Sequence, residues 1–487
     1  MKKLKDILYR VAVEAVYGST DVAVNQLVFD SRKVAEGDVF IATKGTLVDG
    51  HSFIAQVETK GVKAIVCEAL PSELNKQITY VLVNDSKEAL AIMADNFYDN
   101  PSQKLKLVGI TGTNGKTTIA SLLYSLFTKA GYKAGLLSTV KVMVAEHEFP
   151  ATHTTPDSLS INRYLDQMVK AGVSYCFIEV SSHGIHQKRS KGLHFAGGVF
   201  TNLTHDHLDY HHSFAEYRDV KKSFFDDLPK SAFALVNIDD KNGRVMLQNT
   251  EAKQFTYALK TVADYKAKIL ENQLGGLLLI INNNEVWTKL IGTFNAYNLL
   301  AIYGVADLLG IEPLENLRLL SQLDSVSGRF QYLVSEEGVT AIVDYAHTPD
   351  ALKNVLETIN AIRSHNENLI TVVGCGGDRD KGKRPVMGNI ATQLSNQVIF
   401  TSDNPRSEDP TTIIEEMEKG VEPQHTRKVL SIVDRRQAIK TAGKLANKGD
   451  IVLIAGKGHE TYQEINGVRT DFDDYKIVTE TLKELHK

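Results

Sequence analysis

The sequence predicts an α/β protein of three domains, and three observations support this fold class. The chain has 487 residues, which is more than a single hydrophobic core usually supports. Apolar strands alternate with helical stretches, a pattern typical of parallel sheets that are covered on both faces. This alternation starts afresh twice along the chain. We therefore expect domains at residues 1–103, 104–330 and 331–487.

The composition is that of an ordinary globular protein. Hydrophobic residues make up 43% of the chain and charged residues 23%. The net charge of -4 does not supply the basic field that sequence-independent nucleic-acid binding needs, so we expect no nucleic-acid partner. The three cysteines, Cys67, Cys176 and Cys375, are far apart and odd in number. This argues against a disulfide framework or a cysteine metal site and fits a reducing cytoplasm.

The N-terminus predicts an amphipathic helix rather than a leader peptide. Residues 1–16 begin with lysines, but Asp6, Arg10 and Glu14 interrupt the apolar stretch, unlike the core of a signal peptide. No apolar run approaches the roughly 20 residues that span a bilayer. We expect a cytoplasmic protein that does not insert into a membrane.

The first domain is expected to be a small α/β unit. Apolar runs at 39–43, 63–68 and 80–85 predict strands, with turns and helical patches between them. The segment 99–104 contains Asn-Pro-Ser, which is typical of a turn or loop, before a new strand begins. We place the first domain boundary there.

The second domain opens with a strand, a glycine-rich loop and a helix. Residues 104–110 predict the strand and residues 117–132 the helix, and the loop between them reads T-G-T-N-G-K. Further buried strands are predicted at 175–180, 196–203 and 232–239. This order indicates a parallel sheet like that of P-loop ATPases. The segment 254–289 is interpreted as a β-rich excursion before a helix that starts near Asn295.

The third domain shows the same alternation and is expected to be Rossmann-like. Strands are predicted at 339–347, 368–377, 396–403 and 450–458, with a helical stretch at 351–363. A polar cluster ends each of these strands, at 344–347, 374–378, 403–406 and 456–460. Ligands of open α/β sheets bind at the carboxyl ends of the strands, so we expect the four clusters to converge.

The loop between the first strand and helix of the second domain is the strongest chemical signal. Its glycines let backbone N–H groups surround phosphate oxygens, and the helix N-terminus adds positive potential. Lys116 is expected to pair with terminal phosphates and Thr117 to reach a magnesium ion. The match to the usual phosphate-loop pattern is imperfect, because Ile110 stands where the pattern has its first glycine. A chance glycine-rich turn is the alternative.

Glu179 and a histidine-rich segment are the candidates for metal binding. Glu179 ends an apolar strand downstream of the loop, where a carboxylate commonly holds a nucleotide's magnesium ion, although a solvated strand end is the alternative. A zinc site is the other possibility, from His205, His207, His211 and His212. We expect magnesium instead, because there are no cysteine partners and no helical H-E-x-x-H motif.

A series of motifs in this order resembles the Mur ligases, and most closely the branch that adds the third residue of the peptidoglycan stem peptide. The motifs are T-G-T-N-G-K-T-T, H-T-T-P-D, E-V-S-S-H-G, T-N-L-T-H-D-H-L-D-Y-H, S-G-R-F, D-Y-A-H-T-P-D, G-G-D-R-D-K-G-K-R-P, D-N-P-R and G-K-G-H-E. The resemblance runs from Asp30 to beyond Glu460. It implies a three-domain enzyme that binds a UDP-sugar dipeptide, ATP and an amino acid in one cleft. ATP would convert a carboxylate into an acyl phosphate, which the incoming amine would displace.

The resemblance also implies which residues bind nucleotide and metal. The catalytic set would be Lys116, Glu179, His207 and Lys221. The ATP site would contain Gly112, Thr113, Asn114, Gly115, Lys116, Thr117, Thr118, Asn295, Asn298, Arg329 and His347. Magnesium would be held by Thr117, Glu179, His207 and Lys221, the last if it is carbamylated. From the sequence alone, the Lys221-Lys222 pair fits a solvated helix face equally well.

The two other substrates would have their own sets of residues. The UDP-sugar set is Ser31, Thr154, Thr155, Ser181, Gln187 and Arg189. The amino-acid set is Arg379, Asp403, Asn404, Pro405, Arg406, Gly456 and Glu460. The resemblance favours meso-diaminopimelate, because a guanidinium at Arg406 can bind its distal carboxylate bidentately, whereas L-lysine has only a cation there. A surface salt bridge is the alternative role for Arg406.

Two broader alternatives remain at this stage. One is a nucleotide-binding regulator that kept the loop and lost the chemistry, which would be expected to lack the downstream metal and substrate residues. The other is a related ligase, either one that uses L-lysine or a Mur or folylpolyglutamate type with a different acceptor. In each case we expect a monomer whose partners are small-molecule substrates.

Overall fold

The computed structural model describes residues 1–45, 48–204, 210–211, 213–364 and 366–487. Across these residues the chain has the predicted three-part α/β architecture, with sheets of five, eleven and six strands and two short two-stranded ribbons. The three large sheets contain residues from 13–83, 106–288 and 331–455 respectively. The domain boundaries themselves stay predictions. None of the described helices is long and apolar enough to cross a membrane.

The N-terminal part packs a five-stranded sheet, in the order β2-β7-β6-β5-β4, against short helices. The predicted strands at 39–43, 63–68 and 80–85 are confirmed. The five strands of this sheet are β2 Val13–Tyr17, β4 Leu27–Val28, β5 Val39–Ile41, β6 Ala64–Cys67 and β7 Thr79–Val83. A separate two-stranded ribbon is formed by β1 Lys2–Lys3 and β3 Ala23–Val24. Its helices are α1 Leu4–Ile7, α2 Ile54–Glu58 and α3 Ser86–Phe97.

The predicted amphipathic helix over residues 1–16 is wrong. Only α1 is helical there, and the chain then enters β2, which pairs antiparallel with β7. Arg10 separates the two with a left-handed φ of 63°. The residues after it include valines at 11, 13 and 16, whose β-branched side chains favour a strand. Pairing with the sheet therefore outweighs the helical pattern of polar residues.

The central part contains an eleven-stranded sheet whose middle is parallel. Its order is β11-β10-β9-β12-β8-β13-β14-β15-β16-β17-β18. The strands are β8 Lys106–Thr111, β9 Ala134–Leu137, β10 Lys141–Val144, β11 His147–Pro150, β12 Tyr175–Glu179, β13 Phe195–Phe200, β14 Phe233–Asn237, β15 Lys253–Ala258, β16 Tyr265–Gln273, β17 Gly276–Ile281 and β18 Asn284–Thr288. The helices are α4 Lys116–Lys129, α5 Ser158–Lys170, α6 Ser182–His186, α7 Phe214–Asp226, α8 Gly243–Met246, α9 Thr293–Leu308 and α10 Pro313–Ser321.

The two faces of this sheet carry separate apolar cores. Helices α4, α9 and α10 pack on one face, and α5 and α7 pack on the other. The β-rich excursion predicted for 254–289 is confirmed, because β15 to β18 extend the sheet and end in an antiparallel ribbon. The helix predicted near Asn295 is α9. The parallel strands thus end together at one edge, where their loops can form a site.

The C-terminal part has a six-stranded sheet in the order β19-β20-β24-β21-β22-β23, parallel except for β19. The six strands of this sheet are β19 Gln331–Val334, β20 Thr340–Asp344, β21 Leu369–Val373, β22 Gln397–Phe400, β23 Val429–Ser431 and β24 Ile451–Ala455. A separate two-stranded ribbon is formed by β25 Tyr462–Ile465 and β26 Val468–Asp471. Its helices are α11 Pro349–Ile362, α12 Lys383–Leu394, α13 Pro410–Glu418, α14 Arg435–Leu445 and α15 Asp474–Glu484.

The four polar clusters after these parallel strands converge, as predicted. The backbone N–H of Gly456 donates to Asp344 O at 3.0 Å, and that of Gly377 donates to Asn404 O at 2.9 Å. Asn404 Nδ2 donates to Glu460 Oε2 at 2.7 Å and joins these two pairs, so all four clusters are connected.

Candidate active site

The glycine-rich loop joins β8 to α4 as the sequence predicts. Gly115 has a φ of 91°, and a Cβ there would lie 2.7 Å from Asn298 Oδ1, so the loop requires glycine at this position. Lys116 Nζ donates to the carbonyl oxygens of Gly112 and Thr113 at 3.0 and 2.8 Å. The Asn114 carbonyl accepts from Thr201 Oγ1 at 2.6 Å. Helix α4, including Thr118, then begins directly at the end of the loop, as phosphate binding requires.

Glu179 is the buried carboxylate beside this loop. Its side chain is fully buried at the end of β12 and accepts from Thr117 Oγ1 at 2.9 Å. Thr139 adds its backbone N–H to Oε1 at 2.7 Å and its hydroxyl to Oε2 at 3.2 Å. The solvated strand end is therefore wrong. The sequence analysis missed Thr139, although it follows β9, which neighbours β12 in the sheet.

Lys221 also reaches the loop, from helix α7. It is 1% exposed, its Nζ donates to Gly112 O at 2.9 Å, and it lies 4.8 Å from the ring centroid of Tyr217. Lys222 is 8% exposed, so the alternative of a solvated lysine pair is wrong. The Tyr217 hydroxyl lies 3.1 Å from Thr113 Oγ1, which makes Tyr217 a second residue that the sequence analysis missed.

The oxygen atoms at this point suit a magnesium ion. A threonine hydroxyl and a carboxylate, from Thr117 and Glu179, are hard ligands of the kind that Mg²⁺ prefers. His207, the third predicted ligand, lies outside the described residues, as do His205 and His212. Within the described ranges, no group of three or more His, Cys, Asp or Glu side chains could hold a metal ion. Of the four histidines of the zinc alternative, only His211 lies within the described residues.

Two asparagines and Arg329 complete the surroundings of the loop. Asn298 Nδ2 donates to Asn295 Oδ1 at 3.0 Å, and both side chains are buried on α9. Arg329 Nη2 donates to Thr117 Oγ1 at 3.2 Å, and its guanidinium lies 4.6 Å from the Tyr345 ring centroid.

His347 lies beside Tyr345, whose ring also lies near Arg329. Its exposed ring packs against the Tyr345 ring with centroids 4.5 Å apart. The Tyr345 ring therefore contacts both His347 and Arg329.

Five of the six residues predicted for the UDP-sugar lie next to Glu179. Thr155 Oγ1 donates to the Glu179 carbonyl at 2.8 Å and lies 3.0 Å from Ser181 Oγ. Arg189 Nη1 donates to Thr155 O at 2.6 Å, and Arg189 Nη2 donates to Gln187 Oε1 at 2.7 Å.

Thr154 lies close to the Glu179 carboxylate, whereas Ser31 lies apart from the rest of this set. Thr154 Oγ1 lies 3.1 Å from Thr139 Oγ1, which places it beside the Glu179 carboxylate. Ser31 lies apart in the N-terminal domain, where its carbonyl accepts from Lys60 Nζ at 2.7 Å. The structure therefore does not bring Ser31 into hydrogen-bonding contact with the other five.

The residues predicted for the amino acid meet at the ends of β22 and β24. Asn404 Nδ2 donates to Glu460 Oε2 at 2.7 Å. A Cβ at Gly456 would lie 2.5 Å from Asp403 Oδ2, so the two loops are in close contact. Burial and the nearby Asp403 carboxylate raise the pKa of Glu460. A buried lysine, Lys457, contacts this group and was missed by the sequence analysis.

Arg406 and Arg379 flank Gly376 at the edge of this group. A Cβ at Gly376 would lie 3.0 Å from Arg406 Nη1 and 3.9 Å from Arg379 Cγ. Arg406 Nη1 donates to Gly377 O at 2.6 Å, and its backbone has a left-handed φ of 53°. Pro405 precedes it. Among the described residues, no carboxylate forms a salt bridge with Arg406, and its guanidinium bonds to the Gly377 carbonyl instead.

A cavity of about 840 Å³ lies at the opposite, amino-terminal edge of the central sheet, between residues such as Lys104, Ser174 and Phe233. It contains none of the predicted site residues. The contacts described above, rather than this cavity, identify the candidate site.

The fold and the site define a class: a three-domain α/β enzyme with a glycine-rich loop between a strand and a helix, a buried carboxylate beside that loop, and a second group of polar residues at the strand ends of a Rossmann-like domain. Three family models match the chain: the Mur ligase family catalytic domain at residues 23–98, the Mur ligase middle domain at 110–306 and the Mur ligase glutamate ligase domain at 328–458. The chain belongs to the Mur ligase family.

Relatives and solved structures agree with this membership. The chain is 56% identical over 486 residues to UDP-N-acetylmuramoyl-L-alanyl-D-glutamate--2,6-diaminopimelate ligase of Cytophaga hutchinsonii, with 100% of both chains covered. It is 42% identical to the enzyme of the same name from Geobacillus kaustophilus, with 96% of both covered. A solved structure of a ligase with that name is 33% identical, with a TM-score of 0.70, covering 100% of this chain and 99% of the other. The MurF ligase of Thermotoga maritima in complex with ADP, 21% identical, has the same fold with a TM-score of 0.61, covering 95% and 98%.

Proposed function

We propose that this protein is an ATP-dependent ligase that adds meso-diaminopimelate to the D-glutamate side-chain carboxylate of UDP-N-acetylmuramoyl-L-Ala-D-Glu, in the synthesis of peptidoglycan precursors. This is the reaction of MurE-type ligases. Full-length relatives at 56% and 42% identity carry that name, which supports the proposal. The Arg406 guanidinium beside Gly376 would serve an amino acid with a distal carboxylate, which an amide ligase with another acceptor would not need to bind.

The observation that carries the proposal is the placing of Arg406. Its guanidinium lies beside Gly376 together with Arg379, while the carboxylate of Glu460 lies across the same strand ends, hydrogen bonded to Asn404. Meso-diaminopimelate carries both a carboxylate and an ammonium at its distal end. The Arg406 guanidinium suits the carboxylate and Glu460 suits the ammonium. L-lysine offers only the ammonium.

The residues near the phosphate loop suit the activation of a carboxylate. The D-glutamate carboxylate attacks the γ-phosphorus of ATP, and ADP leaves, which yields an acyl phosphate. Lys116 and the loop N–H groups hold the phosphates and stabilise the charge that builds up on the transferred group. Arg329, which contacts Thr117, brings a further positive charge to the same point.

The second step is attack by the amine of the amino acid on the carbonyl carbon. The tetrahedral intermediate collapses with loss of phosphate, and the amine loses a proton to give the amide. Because the phosphate loop and the amino-acid residues lie on different sheets, correct alignment of the two sites converts a bimolecular step into an effectively unimolecular one.

The proposed cofactor is Mg²⁺, held by Thr117, Glu179, His207 and a carbamylated Lys221. A magnesium ion there would neutralise phosphate charge during transfer. Lys221 is buried against the loop, which supports a role at the phosphates. We further propose that the enzyme works as a cytoplasmic monomer on small-molecule substrates, with no nucleic-acid partner.

The test is release of phosphate from ATP in the presence of the UDP-muramoyl dipeptide, with meso-diaminopimelate, L-lysine or no amino acid. We expect release that depends on diaminopimelate and is lost in Arg406→Ala. Arg318→Ala is a matched control, since Arg318 pairs with Glu315 on the exposed face of α10. Preference for L-lysine would overturn the specificity, and no release with either amine would overturn the ligase activity.

A further inference from the structure

Lys457 is a buried cation at the centre of the amino-acid residues. Its side chain is 0% exposed in the loop after β24. Its Nζ donates to Asn404 Oδ1 at 2.9 Å and lies 3.3 Å from Glu460 Oε2. Burying an ammonium group is costly unless it is paired and hydrogen bonded. Here both of its partners belong to the proposed amino-acid site.

The two oxygens of Glu460 have different surroundings. Oε2 accepts from Asn404 Nδ2 at 2.7 Å and from Lys457 Nζ at 3.3 Å. Oε1 accepts no hydrogen bond from any residue that the structure describes. The Glu460 side chain is 17% exposed, so a ligand can reach the oxygen that remains.

The amide of Asn404 has a fixed orientation. Its Oδ1 accepts from Lys457 Nζ at 2.9 Å and from the backbone N–H of Glu464 at 3.0 Å. Its Nδ2 is therefore the end that donates to Glu460. Without Lys457, one of the two donors that set this orientation is lost.

We propose that Lys457 is a positioning residue for the incoming amino acid: it holds Glu460 through Oε2 and the Asn404 amide through Oδ1, so that Glu460 Oε1 receives the substrate's distal ammonium. The inference rests on the proposed function and adds to it the residue that prepares the ammonium site. Lys457 does not itself contact the substrate.

The charges around Glu460 give this proposal a measurable consequence. Asp403 and Lys457 lie nearest, and Arg435 on α14 is a second buried cation. The remaining titratable groups that face Glu460 are Tyr345 after β20, Tyr462 on β25 and Arg469 on β26. Burial and Asp403 raise the pKa of Glu460, and Lys457 opposes that rise. Loss of Lys457 therefore leaves Glu460 protonated to a higher pH, and a neutral carboxyl binds an ammonium poorly.

The experiment compares wild type with Lys457→Met in the full-length enzyme. Phosphate release is measured with each substrate varied in turn between pH 6 and 9. We expect KM for meso-diaminopimelate to rise about tenfold or more, while KM for ATP and for the UDP-muramoyl dipeptide stay within about twofold. The acidic limb of kcat/KM for diaminopimelate should move up by about one pH unit. Lys419→Met, at an exposed lysine of the same domain, should match wild type.

Two further variants separate positioning from a purely structural role. Lys457→Arg keeps the charge but changes the donor geometry, so KM for diaminopimelate should rise while the acidic limb stays in place. Glu460→Gln should remove the part of the acidic limb that moves in Lys457→Met. If Lys457→Met does not fold, as judged by circular dichroism, these two variants carry the test.

Proportional changes in all three KM values, or an acidic limb that does not move in Lys457→Met, would overturn the role of Lys457. So would a Lys457→Arg enzyme that lost kcat with no change in KM for diaminopimelate. A wild-type enzyme that releases no phosphate with diaminopimelate would instead overturn the proposed function. The two failures are therefore distinguishable.

Discussion

The guanidinium of Arg329 donates from Nη2 to the hydroxyl of Thr117 at 3.2 Å. Thr117 in turn donates to Glu179 at 2.9 Å, and Arg329 lies over the ring of Tyr345, which follows β20. A continuous series of contacts therefore runs from the C-terminal sheet to the carboxylate beside the phosphate loop.

Arg329→Ala is expected to lower kcat by about 10- to 100-fold, because it removes a charge-assisted hydrogen bond at the phosphate loop and the contact with Tyr345. KM for the UDP-muramoyl dipeptide should change little, since Thr155, Ser181 and Arg189, which are proposed to bind it, lie on the main-chain side of Glu179. Phosphate-release kinetics measure both values. A kcat within twofold of wild type would show that this contact has no catalytic importance.

Glu179→Gln should reduce phosphate release by about 100-fold or more and weaken the dependence on Mg²⁺. The substitution keeps the size of the side chain but removes the charge that would hold the ion. Rates are measured against Mg²⁺ concentration, and chelation of Mg²⁺ from the wild-type enzyme should abolish release reversibly. Glu148→Gln, at an exposed residue on the same sheet, is the control. Equal Mg²⁺ dependence in both variants would contradict the metal assignment.

His459→Gln is expected to make the protein less sensitive to acid. Burial, together with the positive charge of Arg329 and the nearby His347, lowers the pKa of His459 to about 3. The unfolded chain takes up this proton near pH 6.5 and the folded protein does not, so stability present above that pH is lost as the pH falls. The difference in melting temperature between pH 7.5 and pH 5 should be smaller in the variant. An equal difference in both proteins would refute this prediction.

Breaking the buried pair of Arg435 and Asp474 should destabilise the C-terminal domain strongly. Both side chains are 0% exposed, and Arg435 Nη2 lies 2.7 Å from Asp474 Oδ2. Arg435→Met leaves an uncompensated buried carboxylate, which typically costs about 3–5 kcal/mol. The exposed pair of Lys440 and Glu484 joins the same two helices, α14 and α15, so Lys440→Met should cost about 0–1 kcal/mol. Urea unfolding of both variants measures the difference, and similar midpoints would contradict it.

Hydrophobic pattern and strand ends were sufficient to predict most of the architecture. The runs that end at Thr111, Glu179 and Asp344 are mostly apolar, which is typical of central parallel strands. For the same reason, the residues just beyond them could be expected to meet. The loop before Lys116 was recognisable despite its imperfect pattern because a strand precedes it and a helix follows.

Residues whose role depends on a neighbour in space were not predictable in the same way. Thr139 and Tyr217 contact Glu179 and Thr113 only because β9 lies beside β12 and α7 crosses the loop. Lys457 has the same charge as many solvated lysines, and nothing local to it indicates burial. The N-terminal helix was wrongly predicted because pairing of Val13–Tyr17 with β7 is a long-range effect.

Glu179 uses its side chain and its main chain for different neighbours. The carboxylate holds Thr117 and Thr139, while the carbonyl holds Thr155. A ligand that orders Thr117 beside the carboxylate should therefore also restrict Thr155 beside the carbonyl, and the reverse should hold. By thermodynamic linkage, nucleotide should increase affinity for the UDP-sugar dipeptide by the same factor as the dipeptide increases affinity for nucleotide.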